Sequence, residues 1–160
     1  MKNLIFILIC LFALNLTAQE HPQPQSNNEI KLNIGYLLLG LPEFSYERII
    51  NDESSFGASL ALTIDDDVDV NYIFTPYYRF FFGKKYAAGF FLEGNAAVFN
   101  EDYLNSTETG FGLGFGLGGK FLTKSNWTGE LLIGLGRTLM NSDKTSEAYP
   151  RIGISFGKRF

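Results

Sequence analysis

From Ile30 to the end of the chain, side-chain polarity alternates with a period of two through eight successive runs. The runs are 30–39, 42–50, 55–65, 70–82, 85–99, 109–122, 126–139 and 147–160. Two is the strand period, in which neighbouring side chains point to opposite faces. In the third run Phe56, Ala58, Leu60, Leu62 and Ile64 oppose Gly57, Ser59, Ala61 and Thr63. In the seventh, Trp127, Leu131, Ile133 and Leu135 oppose Thr128, Glu130, Gly134 and Gly136. Most runs are longer than the roughly five or six residues of a soluble strand, and they approach the about 9–11 needed to cross a bilayer at barrel tilt. The expected fold is all-β: an eight-stranded antiparallel up-and-down transmembrane β-barrel with a side-chain-filled lumen.

Alternation alone does not say which face is buried. A soluble lipocalin-like barrel puts its apolar face inside, and a membrane barrel reverses that. The polar face here is mostly glycine, alanine, serine, threonine and asparagine, whereas a solvated face is crowded with lysine and glutamate. Its isolated charges also balance: Lys31, Arg79, Lys120 and Arg151 against Glu43, Glu47, Glu93 and Glu130. Such a set suits a dry lumen, where ions must be paired. Aromatics on the apolar face gather near run ends, at Phe80, Phe82, Tyr86, Phe121, Trp127, Phe156 and Phe160, as in an interfacial girdle. With both termini periplasmic, the periplasmic turns are 51–54, 83–84 and 123–125. The outer loops are then 40–41, 65–69, 100–108 and 140–146, three of them longer and more polar. Exceptions to the pattern are Leu37, Leu39, Ile73, Phe81, Phe91 and Leu132 on the polar parity, and Arg48 and Arg137 near run ends on the apolar one.

The sixth run, "TGFGLGFGLGGKFL", has glycine at 110, 112, 114, 116 and 118, costly in a strand interior unless something needs the space. Folding runs five and six about their loop sets Gly116 near Glu93, Gly118 near Phe91 and Gly114 near Asn95. The interior of an eight-stranded barrel is just wide enough for side chains to fill it. Glycine therefore supplies a bare wall for the large side chains opposite. The same folding of runs six and seven sets Lys120 close to Glu130.

Residues 1–18 read as a signal peptide, with Lys2 before an apolar core from Leu4 to Leu14 and Ala18 at the cut. Residues 19–29 read as a flexible periplasmic leader, and 30–160 as the barrel. The single cysteine, Cys10, lies within the signal and follows Ile9, where lipid attachment needs a small residue. Loss of Lys2 leaves the remaining chain one unit more negative than the formal −4 of the whole. Nucleic acid is excluded as a partner by the absence of a clustered basic face. The only histidine, His21, falls in the leader, so serine–histidine and cysteine–histidine mechanisms have no base in the barrel. No catalytic residue or cofactor is expected. The loop "DDDVD" places Asp65, Asp67 and Asp69 at the spacing that opens a calcium loop, but Val70 stands where glycine is needed, which leaves a weak metal candidate.

The closing strand "RIGISFGKRF", with Ile152, Ile154, Phe156 and Phe160 in step, and the runs "SYER" (45–48) and "TPYYRFFF" (75–82) carry a resemblance. The chain resembles the small eight-stranded outer-membrane barrels, a group that includes the OmpA transmembrane domain and the uncharacterised Bacteroidetes outer-membrane barrel family. The resemblance implies that Ile152, Ile154, Phe156 and Phe160 form an assembly signal read by the barrel-assembly machinery. It also implies the bacterial outer membrane as location, with lipid, lipopolysaccharide and other outer-membrane proteins as partners. The function expected is a non-enzymatic structural, partner-binding or complex-subunit role. The alternatives are a narrow channel or small-ligand transport barrel, which Tyr77, Phe81 and Phe91 would obstruct, and a soluble lipid-binding barrel.

Overall fold

A computed structural model describes residues 26–65, 69–103 and 106–160. The signal 1–18, the leader as far as residue 25 with His21, and Asp67 lie outside the described residues. The strands are β1 (Asn28–Asn33), β2 (Glu43–Ile49), β3 (Ser54–Leu62), β4 (Val70–Phe82), β5 (Gly89–Tyr103), β6 (Ser106–Leu122), β7 (Trp127–Met140) and β8 (Ala148–Arg159). One helical turn, α1 (Ile34–Leu37), follows β1. Each strand pairs antiparallel with its neighbours in sequence, and β1 pairs with β8, which closes the barrel. Phe160 N–H donates to the Asn28 carbonyl at 2.8 Å, and Asn28 N–H to the Phe160 carbonyl at 3.1 Å, so the described chain ends meet at the seam.

The two parities face opposite ways. In β3 Phe56, Leu60 and Leu62 stand exposed on the outer wall, while Ser55, Gly57, Ser59 and Ala61 are buried in the lumen. In β8 Ile152, Ile154 and Phe156 point out while Arg151, Gly153 and Gly157 point in. The β5–β6 register places Glu93 opposite Gly116, Phe91 opposite Gly118 and Asn95 opposite Gly114. Lys120 pairs with Glu130 across β6 and β7.

Four boundaries differ from the sequence reading, each for a physical reason. The first run does not continue as a strand to residue 39. Asn33 ends β1, its side chain accepts from Tyr36 N–H, and the chain turns into α1. Leu37 and Leu39 therefore break no parity, because they belong to the turn, where they are exposed. At its other end β1 starts earlier, at Asn28, which moves Glu29 out of the leader and into the barrel wall. The turn at 83–84 is a six-residue segment, 83–88, folded inward so that Ala87 and Ala88 are buried. The loop 100–108 is largely absorbed by β5 and β6, whose pairing continues to Tyr103 opposite Ser106.

Among the described residues, apolar packing inside the lumen is confined to small clusters. Ile49, Phe81, Ala87, Phe91 and Leu132 pack together at the end closed by 83–88. Tyr36, Leu41 and Ala61 form one cluster toward the other end, Ala97, Phe99 and Tyr149 a second, and half-buried Ile73 packs against both. Three residues off parity, Phe81, Phe91 and Leu132, are thus interior packing residues. Arg48 and Arg137 are exposed on the outer wall, Arg48 donating to Asn28 Oδ1 at 2.8 Å.

Candidate functional site

Between the apolar clusters the lumen is filled by ions. All eight charges singled out in the sequence are buried, the cations on four strands and the carboxylates on three others: Lys31 from β1, Arg79 from β4, Lys120 from β6 and Arg151 from β8, against Glu43 and Glu47 from β2, Glu93 from β5 and Glu130 from β7. Two further residues join them, Glu29 from β1 and Arg159 from β8. The result is five carboxylates against five cations in one connected array.

The array runs along the barrel axis. At the end covered by 83–88, Arg159 donates to the carbonyls of Tyr86 (3.0 Å) and Ala87 (2.8 Å) and to Glu29 Oε1 (2.7 Å). Lys120 Nζ bridges Glu29 (2.9 Å) and Glu47 (2.6 Å) and lies 3.3 Å from Glu130. Lys31 bonds Glu47 and reaches Glu130 at 2.8 Å. Arg79 spans Glu47 (2.9 Å), Glu130 (2.8 Å) and Glu93 (2.8 Å). Arg151 links Glu93 (2.8 Å) to Glu43 (3.0 Å). Asn95 extends the chain, donating to Glu93 at 3.3 Å and accepting from the Tyr149 hydroxyl at 2.8 Å.

Glu47 is the hub. Besides Lys31, Lys120 and Arg79 it accepts from Ser55 Oγ (2.6 Å) and Tyr77 Oη (3.3 Å). Aromatic rings fill the space that the ions leave. The Arg79 guanidinium lies 4.5 Å from the Tyr77 ring centre and 4.4 Å from that of Phe91, and Lys120 Nζ lies 4.7 Å from that of Phe81. Such contacts suit cations shut off from water.

The glycine row makes room for this filling. A Cβ at Gly110 would lie 2.6 Å from the Phe99 ring, and one at Gly112 2.7 Å from the Tyr149 ring. At Gly114 it would meet Asn95 Oδ1 at 2.8 Å, and at Gly118 it would run into the Phe91 ring and the Leu131 carbonyl. Gly116 differs from the expectation: although paired with Glu93, its open side faces Leu132 Cδ1 at 3.0 Å. The wall is bare mainly for rings, with Glu93 itself drawn away toward Arg79 and Arg151.

Glu29 and Arg159 are the residues that sequence reasoning missed. Each continues the parity of a charge it had identified, Glu29 two before Lys31 and Arg159 eight after Arg151. Parity was the available signal; the polar, proline-bearing leader obscured it at Glu29.

Among the described residues, one group of carboxylates lies close enough to share a metal ion: Glu29, Glu47 and Glu130. The Lys120 ammonium sits against all three, which makes this trio an ion-pair site filled by the chain's own cation. Asp65 and Asp69 are described, while Asp67, the third acid of the weak metal candidate, lies outside the described residues. The Asp69 main-chain carbonyl accepts the Asp102 N–H at 2.8 Å. The four residues of the closing strand expected to signal assembly, Ile152, Ile154, Phe156 and Phe160, all stand exposed on the outer wall. No family model, curated protein or solved structure matches the chain.

Proposed function

We propose that the chain is a non-enzymatic integral outer-membrane protein, an up-and-down barrel with both termini periplasmic. It gives the envelope a rigid, closed wall element that serves a structural, partner-binding or complex-subunit role. The observation that carries this reading is the inversion of polarity. Ten charged side chains are sealed inside, while Phe44, Phe56, Phe115, Ile133, Ile154 and Phe156, among others, stand half-exposed or more around the whole outer wall. In water, contiguous apolar patches on a monomer rarely exceed a few hundred Å². A wall apolar on every strand needs acyl chains against it, and barrel closure pairs the strands around the ring, with Asn33 and Tyr36 side chains bonding the β8 edge where β1 has ended. The arrangement is the reverse of a soluble lipid carrier, whose cavity is apolar and whose wall meets water.

The filled lumen favours a structural role over transport, because rings and ion pairs occupy the axis from 83–88 to α1. The outward Ile152, Ile154, Phe156 and Phe160 fit an assembly signal read by the barrel-assembly machinery before insertion. The acidic loops suit contact with lipopolysaccharide phosphates through divalent ions. Fractionation of cells expressing the full chain tests the placement. Recovery with outer membranes, release only by detergent, and a folded band that shifts on boiling in dodecyl sulfate are expected. Recovery from the periplasm without detergent would overturn the proposal.

A further inference from the structure

At the end of the barrel away from 83–88, the lumen opens into a partly enclosed cavity of about 240 Å³. Tyr36, Leu41, Ile73, Phe99, Tyr149 and Pro150 form most of its wall, and its polar contribution comes mainly from Glu101 and Ser146. The phenol groups are committed elsewhere: Tyr36 Oη donates to the Pro150 carbonyl at 3.0 Å and Tyr149 Oη to Asn95. The rings therefore offer the cavity apolar, electron-rich surface held in fixed positions.

Glu101 sets this cavity apart. Its residue is more than nine-tenths buried, like the five lumen glutamates, yet each of those five has a lysine or arginine within 4 Å. Glu101 has no cation among the described residues; it accepts from Ser146 N–H and from Ser146 Oγ at 3.1 Å. Those two bonds use half of the roughly four acceptor positions of a carboxylate. A buried carboxylate is expected to be paired, and here the counter-ion is missing while space remains beside it. The surroundings favour the same charge. In the described parts of the segments at this end, Asp65, Asp69, Asp102, Glu108, Asp143 and Glu147 stand against Lys144 alone, which concentrates cations at the mouth.

We propose that this cavity binds a small organic ammonium ion, with Glu101 as its counter-ion and Tyr36, Phe99 and Tyr149 around its apolar body. A bare metal ion does not suit the wall, which is apolar and offers a single carboxylate. A neutral hydrophobe leaves Glu101 uncompensated. Cation–π attraction and a charge-assisted hydrogen bond act together on a cation with an apolar tail. The cavity is smaller than the about 300–1,000 Å³ of drug-sized pockets, which limits the ligand to about ten non-hydrogen atoms.

The test is calorimetric titration of the full chain, folded in a maltoside detergent, with 2-phenylethylammonium and its neutral counterpart 2-phenylethanol. The ammonium is expected to bind at least tenfold more tightly. Glu101→Gln should abolish that difference, while Asp143→Asn, an exposed acid on the same rim, should preserve it. Ile73→Phe, which fills the cavity and leaves Glu101 in place, should weaken both probes and decides the matter should Glu101→Gln fail to fold. Equal affinity for the two probes, no binding of the ammonium at millimolar concentration, or binding indifferent to Glu101→Gln or Ile73→Phe would overturn the proposal.

Discussion

Glu47 accepts from three cations and two hydroxyls with no exposure to solvent, so its removal strands Lys31, Lys120 and Arg79 together. Breaking a buried ionic group from one side typically costs about 3–5 kcal/mol. Glu47→Ala should therefore lower the thermal transition of the detergent-folded chain strongly. Glu108→Ala, whose partner Lys144 is largely exposed at 3.8 Å, should change stability by under about 1 kcal/mol. Equal melting of the two variants would show that the lumen array does not support the fold. Glycine gives a second comparison at this scale. A methyl at Gly118 meets the Phe91 ring and the Leu131 carbonyl, while one at Gly119 meets nothing within 4 Å. Gly118→Ala should destabilise by about 1–3 kcal/mol through overpacking. Gly119→Ala should be neutral or slightly stabilising, because the unfolded chain loses freedom. Denaturant midpoints of the two variants separate the cases.

At the scale of elements, the point of interest is where β1 stops. It has six residues and β8 twelve, so the part of β8 before Ser155 has no strand on its β1 side. Side chains take over the ladder. Asn33 Nδ2 donates to the Ile152 carbonyl at 3.0 Å, Asn33 Oδ1 accepts the Ile154 N–H at 3.2 Å, and Tyr36 Oη donates to the Pro150 carbonyl. Proline at 150 has no N–H to satisfy, which is why it is tolerated within a strand here. Asn33→Ala removes the cap of α1 and two of these bonds at once. A loss of about 1–2 kcal/mol follows from the cap alone. Amide hydrogen exchange at Ile154 should also quicken, and protection unchanged from the parent would count against this account of the seam. Pro76 acts differently. The β4–β5 pairing passes from Phe74 opposite Val98 to Tyr77 opposite Asn95, because no N–H is available at Pro76 to complete the rungs between.

For the molecule as a whole, the lumen array determines what can pass. Rings of Phe81 and Phe91, 5.6 Å apart between centres, and the chain of ion pairs beyond them occupy the axis. Planar-bilayer recordings of the reconstituted chain should show no steady conductance; regular open events would reject the closed-wall reading. The same burial removes the ions from electrolyte. Stability in detergent should change little between low salt and 1 M salt, since mobile ions screen exposed charges and not enclosed ones. A marked loss of stability in high salt would mean that the lumen is wet.

The eight strands and their two faces were legible in the sequence because the strand period ties each residue's face to its parity, as in Phe56 and Gly57 or Ile152 and Arg151. Eight of the ten lumen charges were legible for the same reason; Glu29 fell outside the expected barrel boundary, and Arg159, though on the right parity, stands at the strand end, where a long basic side chain also reaches solvent. What parity cannot encode is distance across a closed tube. That Lys31 on β1 meets Glu130 on β7, that Lys120 stands among three carboxylates, and that 83–88 folds onto Arg159 depend on barrel closure and on how far each side chain reaches. The carboxylate of Glu101, left beside a cavity without a cation, likewise emerges only when four separate segments converge at one end of the barrel. Alternation is local and is fixed by backbone geometry; pairing across the lumen is not local, and only the tertiary structure decides it.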